Sequence, residues 1–270
     1  GGEAAYGDAP SVWAHAWCIY DGTAPIVDGV QVMECGSGGY SRFGERQGNH
    51  DATIGVIAHE LGHAAHNLPD LYDYGNDSQG IGSFGLMGSG SWTTKSGDSF
   101  YGQTPVHMSA WSKLMLDWTD VTDIEAGTAQ HSLKATNLTD YNVLRVPTGT
   151  ENEYFLIENR GTSGYDRGLE SIAGTYNGGL AIWHIDDNVV GGRVNDDENH
   201  KRVDLEELNN IGMDDNLHRG HANNLMFEGN VDNFTPSTTP NSNNYAGTST
   251  GVQITAPSAQ GDTMTVTITR

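Results

Sequence analysis

Apolar residues recur at helical spacing across residues 51–66, where Ile54, Ile57, Ala58, Leu61 and Ala65 gather on one side of a 3.6-residue helix. The pattern predicts a helix with this stripe turned to the core and with His59 and His63, on the opposite face, turned to a cleft. Asp51 or Asn49 is placed to cap it, and Pro69 must end it, because the residue before a proline avoids helical backbone angles. Upstream, residues 12–20 and 26–33 read as short strands, followed by a glycine-rich polar loop over 36–49. Downstream, Thr104-Pro105 opens a second amphipathic helix running to Trp118, with Val106, Ala110, Trp111, Leu114 and Met115 on its repeat. Beyond Asp120 the period changes. Residues 141–146, 154–157, 180–185 and 264–268 are β-type runs broken by Gly, Asn, Asp and Pro, which predicts a β-sandwich.

On the cleft face, His59-Glu60-Leu61-Gly62-His63 is a metal-binding pattern. Histidines four apart lie about 6 Å apart along one helix face, close enough to grip one cation, and the neighbouring glutamate can take a proton from a zinc-activated water. A catalytic zinc takes three protein ligands, so a third residue is required. Asp70, just past the turn that Pro69 forces, can swing back to the pair. His66 is the alternative, with its Cα about 10 Å from that of His59 along a straight axis. Gly80, Gly82 and Gly85 match the dinucleotide-binding spacing, but no strand precedes them and no helix follows, so they read as a glycine-rich turn with Met87 packed just beyond it.

Composition narrows the partners. A net charge of −22, from 35 acidic against 13 basic residues, argues against nucleic acid and anionic membranes. It is consistent with solubility, bound calcium or a salty medium. No apolar run is long enough to span a bilayer. The start lacks both methionine and a signal-type segment, so Gly1-Gly2 reads as a processed or truncated end with any export signal upstream. Cys18 and Cys35 flank a turn-like stretch and can face each other in a hairpin; a disulfide there would fit an extracellular compartment, and two buried thiols are the alternative. Acidic clusters at 186–187, 196–198, 204–207 and 214–215 match no EF-hand loop. A solvated acidic face and calcium ligation, with Asp186, Asp187, Asp204 and Glu206 as candidate ligands, both remain open.

Several linked motifs resemble those of the immune inhibitor A family of secreted bacterial metallopeptidases. They are the His59–His63 pentapeptide, Leu68-Pro69-Asp70-Leu71-Tyr72-Asp73, Gly85-Leu86-Met87-Gly88-Ser89-Gly90-Ser91-Trp92 and the stretch from Pro105 to Trp118. Tyr154 to Arg160, Gly164-Tyr165-Asp166, Ala181 to Asp186 and Val203 to Glu207 extend the likeness into the second half. The resemblance implies an α+β chain: a metzincin-like zinc peptidase domain over 1–119, lacking its N-terminal strands, then a β-sandwich domain over 120–270. It implies a secreted bacterial zinc endopeptidase with His59, His63 and Asp70 on the metal, Glu60 as general base and Met87 in a turn beneath the site. Calcium among the acidic loops, protein or peptide substrates and an inhibitory propeptide upstream are implied as well. One departure bears on the ligands: residues 64–67 add a step, placing Asp70 seven residues past His63 where the family has an aspartate six past. A zinc- or calcium-binding module without turnover, used for adhesion or scaffolding, is the alternative reading.

Overall fold

Among the described residues, eight strands of two or three residues precede the first long helix: β1 Gly2–Glu3, β2 Ser11–Val12, β3 His15–Trp17, β4 Ile26–Val27, β5 Val30–Gln31, β6 Tyr40–Arg42, β7 Arg46–Gln47 and β8 His50–Asp51. The computed structural model describes residues 1–270 except 21, 36–38, 210 and 211, so part of the loop expected over 36–49 lies outside the described residues. β1 runs parallel between β2 and β7, and β8 extends that sheet; β3 pairs with β6 and β4 with β5, both antiparallel. The runs expected over 12–20 and 26–33 are therefore broken into shorter strands. Ile26, Val27 and Val30 are exposed on the β4–β5 hairpin, so apolar burial does not anchor it. A Cys18–Cys35 disulfide closes the segment instead, limiting the freedom of the unfolded chain.

Helix α1 covers Ile54–His66 and is oriented opposite to the expectation from its apolar stripe. Its buried residues are Gly55, Val56, His59, Glu60 and Gly62, whereas Ile54 and Leu61 are exposed. The reason is close approach. A Cβ at Gly55 would stand 1.8 Å from the Ser91 carbonyl oxygen, and one at Gly62 would stand 2.6 Å from the Met87 sulfur. Only glycine lets the histidine face press onto the chain beneath it. The cap also differs: Asp51 lies in β8, Thr53 holds the N-cap position without a side-chain cap bond, and Gly55 N–H donates to Gly102 O at 3.0 Å.

The second helix is shorter than its periodicity predicts. α2 spans Ala110–Met115, and Ser109 caps it by accepting from Ser112 N–H. Residues 105–109 stay non-helical because their backbone is engaged elsewhere: Val106 N–H donates to Gly90 O, Leu86 N–H to His107 O, and His107 N–H to Asp166.

The second half forms β9 Asp120–Asp123, β10 Thr128–Lys134, β11 Asn142–Pro147, β12 Glu153–Arg160, β13 Gly179–Asp186, β14 Val203–Leu205, β15 Asn233–Phe234, β16 Gln253–Thr255 and β17 Thr263–Thr269. Five pair in the order β14-β13-β12-β11-β9 and four as β10-β17-β16-β15. Alternation along the central strands gives the larger sheet two buried faces. Phe155, Ile157, Leu180 and Ile182 join Leu133, Ile254, Val266 and Ile268 of the four-stranded sheet in one core. Leu156, Ala181, Trp183 and Ile185 join Leu68, Phe84, Met87 and Trp111 of the first half in another.

A buried ionic network joins the two halves. The Arg160 guanidinium donates to both Asp166 oxygens at 2.8 and 2.6 Å and also bonds the Phe84 carbonyl. Glu158 accepts from Ala110 N–H at 3.2 Å, Lys113 Nζ at 3.1 Å and Trp183 Nε1 at 3.0 Å. The sheet thus holds α2 and the chain leading to Met87 in fixed positions.

Candidate metal centre

α1 presents His59 and His63 on its buried face, and each ring is oriented from behind by a backbone carbonyl. His59 Nδ1 lies 2.9 Å from Leu86 O, and His63 Nδ1 lies 2.6 Å from Leu68 O. Donation from Nδ1 leaves each Nε2 with a free lone pair, the tautomer a metal requires. Met87, almost fully buried, packs against Gly62 directly beneath this turn of the helix.

The third donor arrives through the helix end. Asn67 takes a left-handed conformation at φ 54°, Leu68 N–H returns to Gly62 O at 3.1 Å, and the chain reverses through Pro69. The step added over 64–67 is absorbed by this helix end and cap. Asp70 Oδ1 then lies 3.0 Å from His59 Nε2 and 3.1 Å from His63 Nε2, while the two Nε2 atoms are 3.1 Å apart. Bonds of about 2.0–2.1 Å to a tetrahedral ion place donors about 3.3 Å apart, so this triangle has the size that a zinc ion needs. Among the described residues these three side chains are the group that converges in this way. His66 does not join them: it is exposed at the end of α1, its ring edge-on to Trp118 at 5.0 Å.

The surroundings tune the donors. The Tyr74 hydroxyl donates to Asp70 Oδ2, leaving Oδ1 to face the imidazoles, and the Arg193 guanidinium lies 5.0 Å over the Tyr74 ring. Burial alone would raise the Asp70 carboxyl, but the His59 and His63 imidazoles facing it favour its charged form and hold it well below the usual carboxylate range. Burial pushes the Tyr74 hydroxyl up to about 12, with Asp70 adding to the effect. Glu60 is raised above an ordinary glutamate, chiefly by burial. Its carboxylate has no hydrogen-bond partner among the described residues and opens into a cleft of about 440 Å³. Trp13 and Ala14 from the N-terminal segment, Tyr72, Ser89 and Trp92, and Arg219 from the second half wall that cleft. A larger cavity of about 810 Å³ borders the other face of α1 at Ile54 and Ala58, and none of His59, Glu60, His63 and Asp70 lines it.

The four calcium candidates face proton donors instead of a shared cation site. Asp186 accepts from His200 at 2.8 Å and Asn188 N–H at 2.9 Å; Asp187 accepts from Tyr154 at 2.8 Å and Trp111 at 3.0 Å. Asp204 pairs with Lys201 at 2.7 Å, and Glu206 with His184 at 3.3 Å. Nothing at these positions supports calcium. Tyr74 and Arg219 were not legible as site residues: no periodicity marks Tyr74, and no local motif links Arg219 to a helix so far away in the chain.

Two imidazoles and a carboxylate converging at one point, beside an unpartnered glutamate in an open cleft, make up a centre of the metallopeptidase class. Residues 1–119 match the family model for the immune inhibitor A peptidase M6 catalytic domain. Over this segment the chain carries a peptidase domain of the immune inhibitor A type, and that domain supports a metallopeptidase function. A search of curated proteins gives no match.

Proposed function

We propose that the protein is a secreted zinc endopeptidase with His59, His63 and Asp70 as metal ligands. The observation that carries this reading is the triangle of donor atoms, 3.0–3.1 Å on each side, with the Glu60 carboxylate unpartnered beside it. Zinc, when bound, supplies a Lewis acid that polarises a peptide carbonyl and makes a water molecule more acidic. Glu60 takes a proton from the attacking water and delivers it to the departing amine. Burial favours this exchange, because a carboxyl with a raised pKa is a better proton carrier near neutral pH. Leu86 O and Leu68 O hold the imidazoles in the coordinating tautomer, and Tyr74 holds the Asp70 carboxylate. Met87 and Gly62 fix the helix turn from below.

The family match and the buried histidine face of α1 support a metzincin-like arrangement over 1–119. The two sheets sharing a core support a β-sandwich over 120–270. The Cys18–Cys35 disulfide supports an extracellular location.

Chelation tests the function. Hydrolysis of a denatured protein substrate is expected to fall to background with a zinc-selective chelator and to return on adding zinc at micromolar concentration. Turnover unaffected by thorough chelation would contradict a metal-dependent reaction. Zinc binding with no turnover on any protein substrate would favour the inactive module.

A further inference from the structure

Arg219 enters the cleft from outside the segment that matches the peptidase catalytic domain. Its backbone is held firmly. Ser83 N–H donates to Arg219 O at 2.7 Å, Gln79 N–H to Met213 O at 2.9 Å, and Asn216 Nδ2 to Asn76 O at 2.8 Å. Gly82, at φ +53°, approaches so closely that a Cβ there would stand 2.5 Å from Arg219 O. The loop from the second half is thus pinned to the glycine-rich turn of the first.

The Arg219 side chain is exposed and forms part of two adjoining cavities. One is the 440 Å³ cleft with His59 and Glu60; the other, of about 340 Å³, is lined by Tyr101, Ile172 and His218. Ser89 and Trp92 wall both, so a groove leads from the metal centre past Arg219. Basic residues on nearby loops are already engaged, Arg193 with Asp196, Lys201 with Asp204 and Arg202 with Asp187. No described carboxylate lies within ion-pair distance of Arg219, although the chain carries 35 acidic residues. The cleft's own structural acids are occupied: Asp73 accepts from Asp77 and Ser78 N–H at 2.9 and 2.8 Å, and Glu3 accepts from Ala14 N–H at 3.1 Å.

We propose that Arg219 is a specificity-determining residue that binds a carboxylate of the peptide substrate in the groove beside the metal centre. A guanidinium fork matches a carboxylate bidentately, and within this acidic protein the group is left free to do so. The carboxylate comes from an Asp or Glu side chain or from the substrate's C-terminus. The inference rests on the peptidase reading.

The test uses the zinc-loaded full chain and fluorogenic peptides that differ by Glu or Gln at each position flanking the cleaved bond, each made with a free or amidated C-terminus. A kcat/KM ratio of about tenfold in favour of the carboxylate is expected at one position, in keeping with discrimination by a charged hydrogen bond. The ratio should approach one in Arg219→Gln, invert in Arg219→Glu, survive in part in Arg219→Lys and shrink as salt is added. Preference for Glu assigns the site to side chains, and preference for the free terminus assigns it to chain ends. A wild-type ratio of one or less at every position and either terminus overturns the proposal, whatever the variants' folding. If no peptide is cleaved, the peptidase reading fails, and Arg219 is judged from anisotropy with the same peptides. Tighter binding of the Glu peptide, lost in Arg219→Gln, then supports it, and equal Kd values overturn it.

Discussion

Glu60→Gln is expected to reduce kcat/KM on a peptide substrate by about 10²–10⁴-fold, the usual contribution of a positioned general base. Zinc should still bind with unchanged stoichiometry. Glutamine keeps the length and shape of glutamate but cannot accept and return a proton, so the loss reads on proton transfer alone. The two consequences separate because Glu60 is not one of the converging donors, and its carboxylate makes no hydrogen bond to another described residue. Its removal therefore leaves the fold's hydrogen bonds intact, and the melting temperature should stay close to wild type. Parallel kinetics and metal analysis check this outcome. Activity within a few-fold of wild type would remove Glu60 from the reaction.

Arg160→Met is expected to cost about 3–5 kcal/mol of stability, because it leaves buried anions without their cation. The guanidinium is fully buried against Asp166, Glu158 and the Phe84 carbonyl, where water cannot replace it. Methionine fills a similar volume, so a cavity contributes little. The same network sets an acid limit. Burial alone would raise the Asp166 carboxyl, but Arg160 holds it well below the ordinary aspartate value; Glu158 is likewise lowered, against its burial, by Lys113 and Arg160. A depressed folded pKa contributes stability that is present in full above the unfolded value of about 4 and is lost as pH falls below it toward the folded value. Urea midpoints should therefore show no contribution from this network above about pH 5 to the slope with pH, and a fall in strong acid that is weaker in Asp166→Asn. A neutral-pH midpoint unchanged in Arg160→Met would mean that the two halves are not joined through this network.

Much of the centre was legible because its residues lie close together in the chain. His59, Glu60 and His63 share one helix face, and Pro69 forces the turn that returns Asp70 to them. The orientation of α1 was not. Ile54, Ile57, Ala58, Leu61 and Ala65 form an apolar stripe that predicts the core side, yet Gly55 and Gly62 allow the other face to pack tighter. Periodicity measures hydrophobicity and is blind to how closely a missing side chain lets backbones approach. The second helix failed similarly: residues 105–109 fit the helical repeat, but Gly90, Leu86 and Asp166 compete for their backbone groups. The acidic clusters left calcium ligation open because a sequence shows carboxylates without the lysine, histidine and tyrosine that reach them from elsewhere in the chain. Arg219 belongs with these cases, since only the folded loop places it beside His59.

In the proposed centre, His59, His63 and Asp70 hold one zinc ion and leave a position for solvent. X-ray absorption at the zinc edge, on the metal-loaded chain, tests it most directly. The expected spectrum has two imidazole nitrogens, one carboxylate oxygen and one exchangeable light-atom ligand at about 2.0–2.1 Å, unchanged in His66→Asn and altered in Asp70→Asn. A sulfur ligand, four protein donors, or a shell unchanged in Asp70→Asn would contradict it.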